Sequence, residues 1–181
     1  MTEKEIRNRY KVATNSFAKV FESVQVCAYY CLYIDEDTGL GLEGNDFSKI
    51  KIQNFNKFVE KRNDELETFE LLDEVKAKIK KNLDIDTMSL AKMIPLRARL
   101  KMIGTKKFKY PDVIMRNTND GIDTFLILAI DVLHDHYRFS RDRILKWWDS
   151  VVTMSGYYVD GFEDRHVIEY FKMECDLTLI Q

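Results

Sequence analysis

The sequence predicts an all-α fold: one compact domain of six or seven helices led by a long N-terminal amphipathic helix. Three observations carry that expectation. Turn formers are scarce, 7 Gly and 2 Pro among 181 residues, which leaves too few breaks for many short strands. Apolar residues three and four apart run through the first stretch of chain without a breaker. Asp123 to Val152, DTFLILAIDVLHDHYRFSRDRILKWWDSVV, gathers apolar side chains as densely as a core element requires. Charged residues at 32% with aromatics at 12% exclude a disordered or low-complexity chain, and the length suits residues 1–181 as one domain.

The first helix is expected over Thr2 to Ile34, where Tyr10, Ala13, Phe17, Val20, Val24, Cys27, Cys31 and Ile34 form a heptad seam widened by Phe21 and Ala28. Such a seam suits packing within its own domain, and it also suits a homodimer built through Tyr10, Phe17, Val20 and Val24. Cys27 and Cys31 lie one turn apart on this apolar face and read as small core residues. With Cys175 they make three cysteines without a framework spacing, which fits a reducing compartment and no disulfide.

DEDTGLGLEGND, residues 35 to 46, carries two motif fragments. Gly39, Gly41 and Gly44 spell G-x-G-x-x-G, yet no strand precedes them, and Asp35, Glu36 and Asp37 would repel a pyrophosphate. Asp35, Asp37 and Asp46 match positions 1, 3 and 12 of a calcium loop, but Gly39 replaces a ligand and Leu40 the required glycine. The stretch reads as a solvated connector whose Asp46 caps the next helix.

Two amphipathic helices follow. Phe47 to Arg62 presents Phe47, Ile50, Phe55, Phe58 and Val59 against a lysine-rich back. Glu67 to Lys81 presents Leu71, Leu72, Val75 and Ile79, with Glu67, Glu70, Asp73 and Glu74 early and Lys76, Lys78, Lys80 and Lys81 late, the order that suits the helix dipole; Asn82 ends it.

Between Lys92 and Arg116 eight cations face one acid, Asp112, so this window is +7 while the rest of a chain of net charge −2 is −9. A short helix starts at Pro95 and ends at Gly104, after which GTKKFKYPD forms a basic loop. Arg97, Arg99, Lys101, Lys106, Lys107, Phe108, Lys109 and Tyr110 are the candidate binding residues, since cations alternating with aromatics neutralise phosphates and stack bases. A solvated face, or a contact with an acidic protein surface including this chain's own acidic remainder, fits the same pattern.

Phe125 to Leu133 is apolar on nearly every side except Asp131. Ile144, Trp148 and Val151, with Leu145 and Val152, then form one helix face against Arg141, Asp142, Lys146 and Asp149. Gly156 closes that helix, an aromatic turn holds Tyr157 and Tyr158, and a last helix spans Glu163 to Cys175 with Val167, Ile168, Tyr170 and Phe171 inward. A weak internal duplication is also expected, halves 1–86 and 117–181 joined by the basic segment. Cys31 to Asp35, a loop and Ile50 parallel Ile130 to Asp135, a shorter loop and Ile144.

His134 and His136 are two residues apart, so on one helix they diverge by about 200° and cannot share a metal ion. With His166 they read as polar helix-end residues. No nucleophile elbow, phosphate loop or H-E-x-x-H is present, so no catalytic residue, metal or cofactor is expected, with a metal-dependent nuclease the third-ranked reading. MTEKEIRNRYK lacks an apolar signal region, and no apolar run approaches the ~20 residues that span a bilayer, which places the expected site of action in the cytoplasm, off the membrane.

Leu133-His134-Asp135 closing an apolar helix, the aromatic and basic opening Phe139 to Arg143, and a short apolar helix ending near Leu177 resemble small helical accessory proteins of phages and mobile elements of Gram-positive bacteria. The resemblance implies a non-enzymatic protein of a bacterial host cell that works by protein–protein binding, and by analogy an inhibitor of a CRISPR effector nuclease, an anti-CRISPR protein. On that reading Trp147, Tyr157 and Tyr158 anchor the contact, and the −9 remainder imitates phosphates. The alternative is a nucleic-acid-binding accessory or regulatory protein using 92–116.

Overall fold

The computed structural model describes residues 1–33, 49–104 and 109–179. Eight α-helices and one 3₁₀ turn fill them, and no strand is present among the described residues: α1 Glu3–Tyr33, α2 Lys49–Glu65, α3 Phe69–Leu83, α4 Thr87–Ala91, α5 Leu96–Ile103, α6 Pro111–Tyr137, α7 Arg141–Ser155, the 3₁₀ turn Gly156–Asp160, and α8 Asp164–Cys175. The fold is all-α and a single domain, with one apolar core running from Val20 to Leu179. No helix among the described residues is long and apolar enough to cross a membrane. The glycine-bearing connector 35–46, with both of its motif readings, lies outside the described residues, as do Lys106, Lys107 and Phe108.

Local chemistry sets most of the boundaries. Thr68 caps α3 by accepting from the Leu71 N–H, and Asp84 in the left-handed region ends it, two residues past the expected Asn82. Gly104 ends α5 with a positive φ, as its sequence position predicts. Two elements differ from expectation. α4 is a single turn capped by Asp86, whose carboxylate accepts from the Met88 and Ser89 N–H groups, and one turn is too short to show a period. α6 begins at Pro111, so the end of the expected basic loop is already helix; Pro there costs no hydrogen bond because a first-turn N–H has no partner inside the helix.

α1 and α6 form the central pair and run parallel. Arg9 meets Asp112, Gly121 lies against Phe17 and Val20, and Phe21 packs edge-on against Phe125 at 5.7 Å between ring centroids. The remaining helices distribute reciprocally. α2 and α3 pack on α6, whereas α7 and α8 pack on α1, so each terminal half lays its later helices on the long helix of the other.

This arrangement corrects one expectation. Val20 and Val24 are fully buried inside their own domain and cannot line a two-fold interface. Of the seam residues offered for a dimer, Phe17 is half-buried and stacks on Phe21 at 6.4 Å, and Tyr10, 70% exposed, alone stays open.

Candidate functional site

The basic segment does not stand alone. Asp112, its single acid, is taken by Arg9 of α1, and Lys19 of α1 reaches α5, its Nζ 3.8 Å from where a Cβ on Gly104 would stand. The start of α1 therefore lies beside the start of α6 at Arg9, and its middle lies beside the end of α5 at Lys19. Residues 1–21 hold five cations, Lys4, Arg7, Arg9, Lys11 and Lys19, against Glu3 and Glu5 and are +3. Lys4, Arg7 and Lys11, at i, i+3 and i+7, share one exposed side of α1, with Arg7 held by Glu3 at 2.5 Å.

Arg97 and Lys101, four apart on α5, are exposed, as are Lys92, Lys109 and Arg116. Tyr110 sits at the junction. Its φ is positive, and its half-buried ring has the Arg9 guanidinium 5.1 Å and the Lys109 ammonium 5.2 Å from its centroid. Sequence reasoning missed the cations of α1 because its apolar seam drew the reading; Lys4, Arg7 and Lys11, opposite that seam, carried a readable spacing, whereas Arg9 and Lys19 did not.

Three candidate binding residues are not on any surface. Arg99 is 2% exposed: its Nε donates to the Ile94 carbonyl at 2.9 Å, Nη2 to Ala91 at 3.0 Å, and Nη1 to Asn119 and to Thr118 Oγ1. No carboxylate joins it among the described residues, and burial lowers its pKa to about 10. It holds the end of α4 onto α6 rather than meeting a phosphate. Trp147 is fully buried with its Nε1 donating to the Ala28 carbonyl, and Tyr158 is buried with its hydroxyl donating to Asp164. Of the expected aromatic anchors, Tyr157 remains exposed.

Opposite in sign is the run 63–75, where Asp64, Glu65, Glu67, Glu70, Asp73 and Glu74 stand exposed without an intervening Lys or Arg. Phe69, in the middle of it, is 86% exposed.

The histidines are used separately. His134 Nδ1 lies 3.0 Å from the Phe139 carbonyl, whereas His136 stacks on the Phe58 ring at 4.1 Å and 12°. No three His, Cys, Asp or Glu side chains gather as a metal site among the described residues. The buried polar cluster at the α1–α8 contact is Ser23 and Tyr158 donating to Asp164, with the Cys27 thiol 3.6 Å from the Tyr158 oxygen. Burial pushes the Cys27 thiol up to about 12 and raises the Asp164 carboxyl, so this thiol is held in its unreactive protonated form. No family model, curated protein or solved structure matches the chain.

Proposed function

We propose that this protein works by binding rather than by chemistry, and that its working surface is the joined basic face of α1, α5 and the start of α6, which takes the phosphate backbone of a nucleic acid. The observation that supports this most is the alignment of two basic segments distant in sequence: Arg9 neutralises the single acid of 92–116, and Lys19 extends the face to the end of α5. Cations spread over adjacent helices can each displace a counterion from a polyanion, whereas isolated lysines on one helix face only hydrate. The Tyr110 ring between Arg9 and Lys109 adds an aromatic contact at the centre.

A labelled DNA duplex titrated at several salt concentrations tests the reading. Log affinity falls linearly with log salt, and Lys11→Glu on α1 and Lys101→Glu on α5 each weaken binding and reduce the slope by about one. Lys172→Glu on α8 leaves both unchanged. Salt-independent binding, or variants on α1 and α5 that behave like the α8 control, would defeat it.

A second reading, supported by the exposed acids around Phe69, is that the protein is of phage or mobile-element origin and blocks a CRISPR effector nuclease by presenting those acids where the effector expects phosphates. It requires that a reconstituted effector lose cleavage on adding the protein and recover it when Glu67, Glu70 and Glu74 are changed to Gln. Undiminished cleavage at a large excess of protein removes it.

A further inference from the structure

The two charged faces of this chain are complementary to each other. At the start of α3, Phe69 is the most exposed large apolar side chain among the described residues, in a run that holds six exposed acids. α3 packs mainly on α6, through Lys76 to Asp123 and Lys78 to Asp135, which leaves its acidic first turns outward. On α1, Ile6 and Tyr10 stand exposed one turn apart beside Arg7 and Lys11. Each face is thus an apolar centre with a charged rim, and the rims have opposite sign.

We infer that the acidic α3 face docks on the basic α1 face of a second copy of this chain. Within one molecule the faces do not meet: Phe69 is open, and among the described residues no ion pair joins 64–74 to α1 or α5. Burying Phe69 against Ile6 and Tyr10 removes apolar area from water at both ends of the contact. A net charge of only −2 leaves little overall repulsion to oppose it. A nucleic acid is repelled from the α3 face and competes for the basic one. In the head-to-tail arrangement we infer, each copy leaves one patch open for the next, so association continues past two copies. The inference uses the basic face but does not depend on nucleic acid binding there.

Sedimentation equilibrium over a range of concentrations reads it directly. At about 0.05 M salt the mean mass rises past two chains with concentration, and at about 0.5 M salt, where screening acts within a few ångströms, it returns to one. Phe69→Ala weakens association about tenfold. Glu70→Lys with Glu74→Lys, or Arg7→Glu with Lys11→Glu, each gives a monomer that circular dichroism shows folded. Mixing those two variants restores one intact pair of faces and gives 1:1 dimers that grow no further. A wild type that stays monomeric at low salt overturns the inference, and so does a mixture that stays monomeric. A mass that levels at two chains and ignores every variant, as a symmetric dimer would, also overturns it. Duplex titration of the same proteins separates this failure from that of nucleic acid binding.

Discussion

Gly121 of α6 lies so close to α1 that a Cβ there would stand 2.6 Å from Cγ1 of Val20 and 2.9 Å from the Phe17 carbonyl oxygen. The parallel pairing of the two longest helices rests on this contact, and with it the juxtaposition of Arg9 with Asp112 further along the same pair. In an isolated helix Ala would be preferred to Gly by about 1 kcal/mol. Here the Phe17 backbone cannot rotate away. Gly121→Ala is therefore expected to destabilise by about 1–3 kcal/mol in urea unfolding, opposite in sign to helix propensity. A variant as stable as the wild type would mean that the helices are not this close.

Trp147 and Trp148 are expected to matter for stability and not for binding. Their indoles are fully buried, Nε1 of Trp147 donating to Ala28 of α1 at 3.1 Å and Nε1 of Trp148 to Leu90 of α4 at 2.8 Å. Trp147→Ala removes a buried ring and a hydrogen bond and should cost about 3–5 kcal/mol in thermal or urea unfolding. Trp147→Phe should cost less and leave duplex affinity where it was; a loss of affinity without a loss of stability would return Trp147 to a surface role.

The same tryptophans show what could be read in the sequence. A helical wheel assumes one neighbour, and on that assumption Trp147 falls at the margin of the α7 stripe. α7 in fact lies between α1 and α4, so both sides of the margin are covered. Helix class, the α3 span, the Gly104 stop and the buried Phe125 to Leu133 run were legible because each depends on local spacing or capping. α4 was not, being a single turn. Arg99 was counted with its neighbours because a buried guanidinium and a solvated one are the same letter; only the fold supplies the Ala91 and Ile94 carbonyls. Of the basic face, the half contributed by 92–116 was legible from charge, and the half contributed by α1 needed the parallel packing to be known.

Arg97 and Arg99, two positions apart, should separate cleanly. Arg97→Ala on the surface is expected to change stability by less than about 0.5 kcal/mol and to lower duplex affinity. Arg99→Ala strips two buried carbonyls of a donor and should cost about 3 kcal/mol or more. Urea midpoints and duplex titrations on the two variants check both halves; equal effects on stability would contradict the burial of Arg99.

Asp131 is 2% exposed on α6, with the Arg62 Nε 3.1 Å from one oxygen but out of line for a hydrogen bond, and Lys78 3.6 Å from the other. Burial raises its carboxyl above the ordinary range, Asp135 adds to that, and Arg62 and Lys78 oppose it. A carboxyl raised on folding binds its proton more tightly in the native state. The ionised form therefore weighs against the fold, and stability contributed by this group falls as pH rises from the unfolded value through the folded one. Asp131→Asn keeps the shape without the buried charge, while Arg62 and Lys78 retain access to water. The variant is expected to melt at or above the wild-type temperature at pH 7, with the difference shrinking as pH is lowered and the wild-type carboxyl takes up its proton. A variant that melts well below wild type at pH 7 and converges on it in acid would show that the ion pairs outweigh the desolvation, reversing the sign assigned to Asp131.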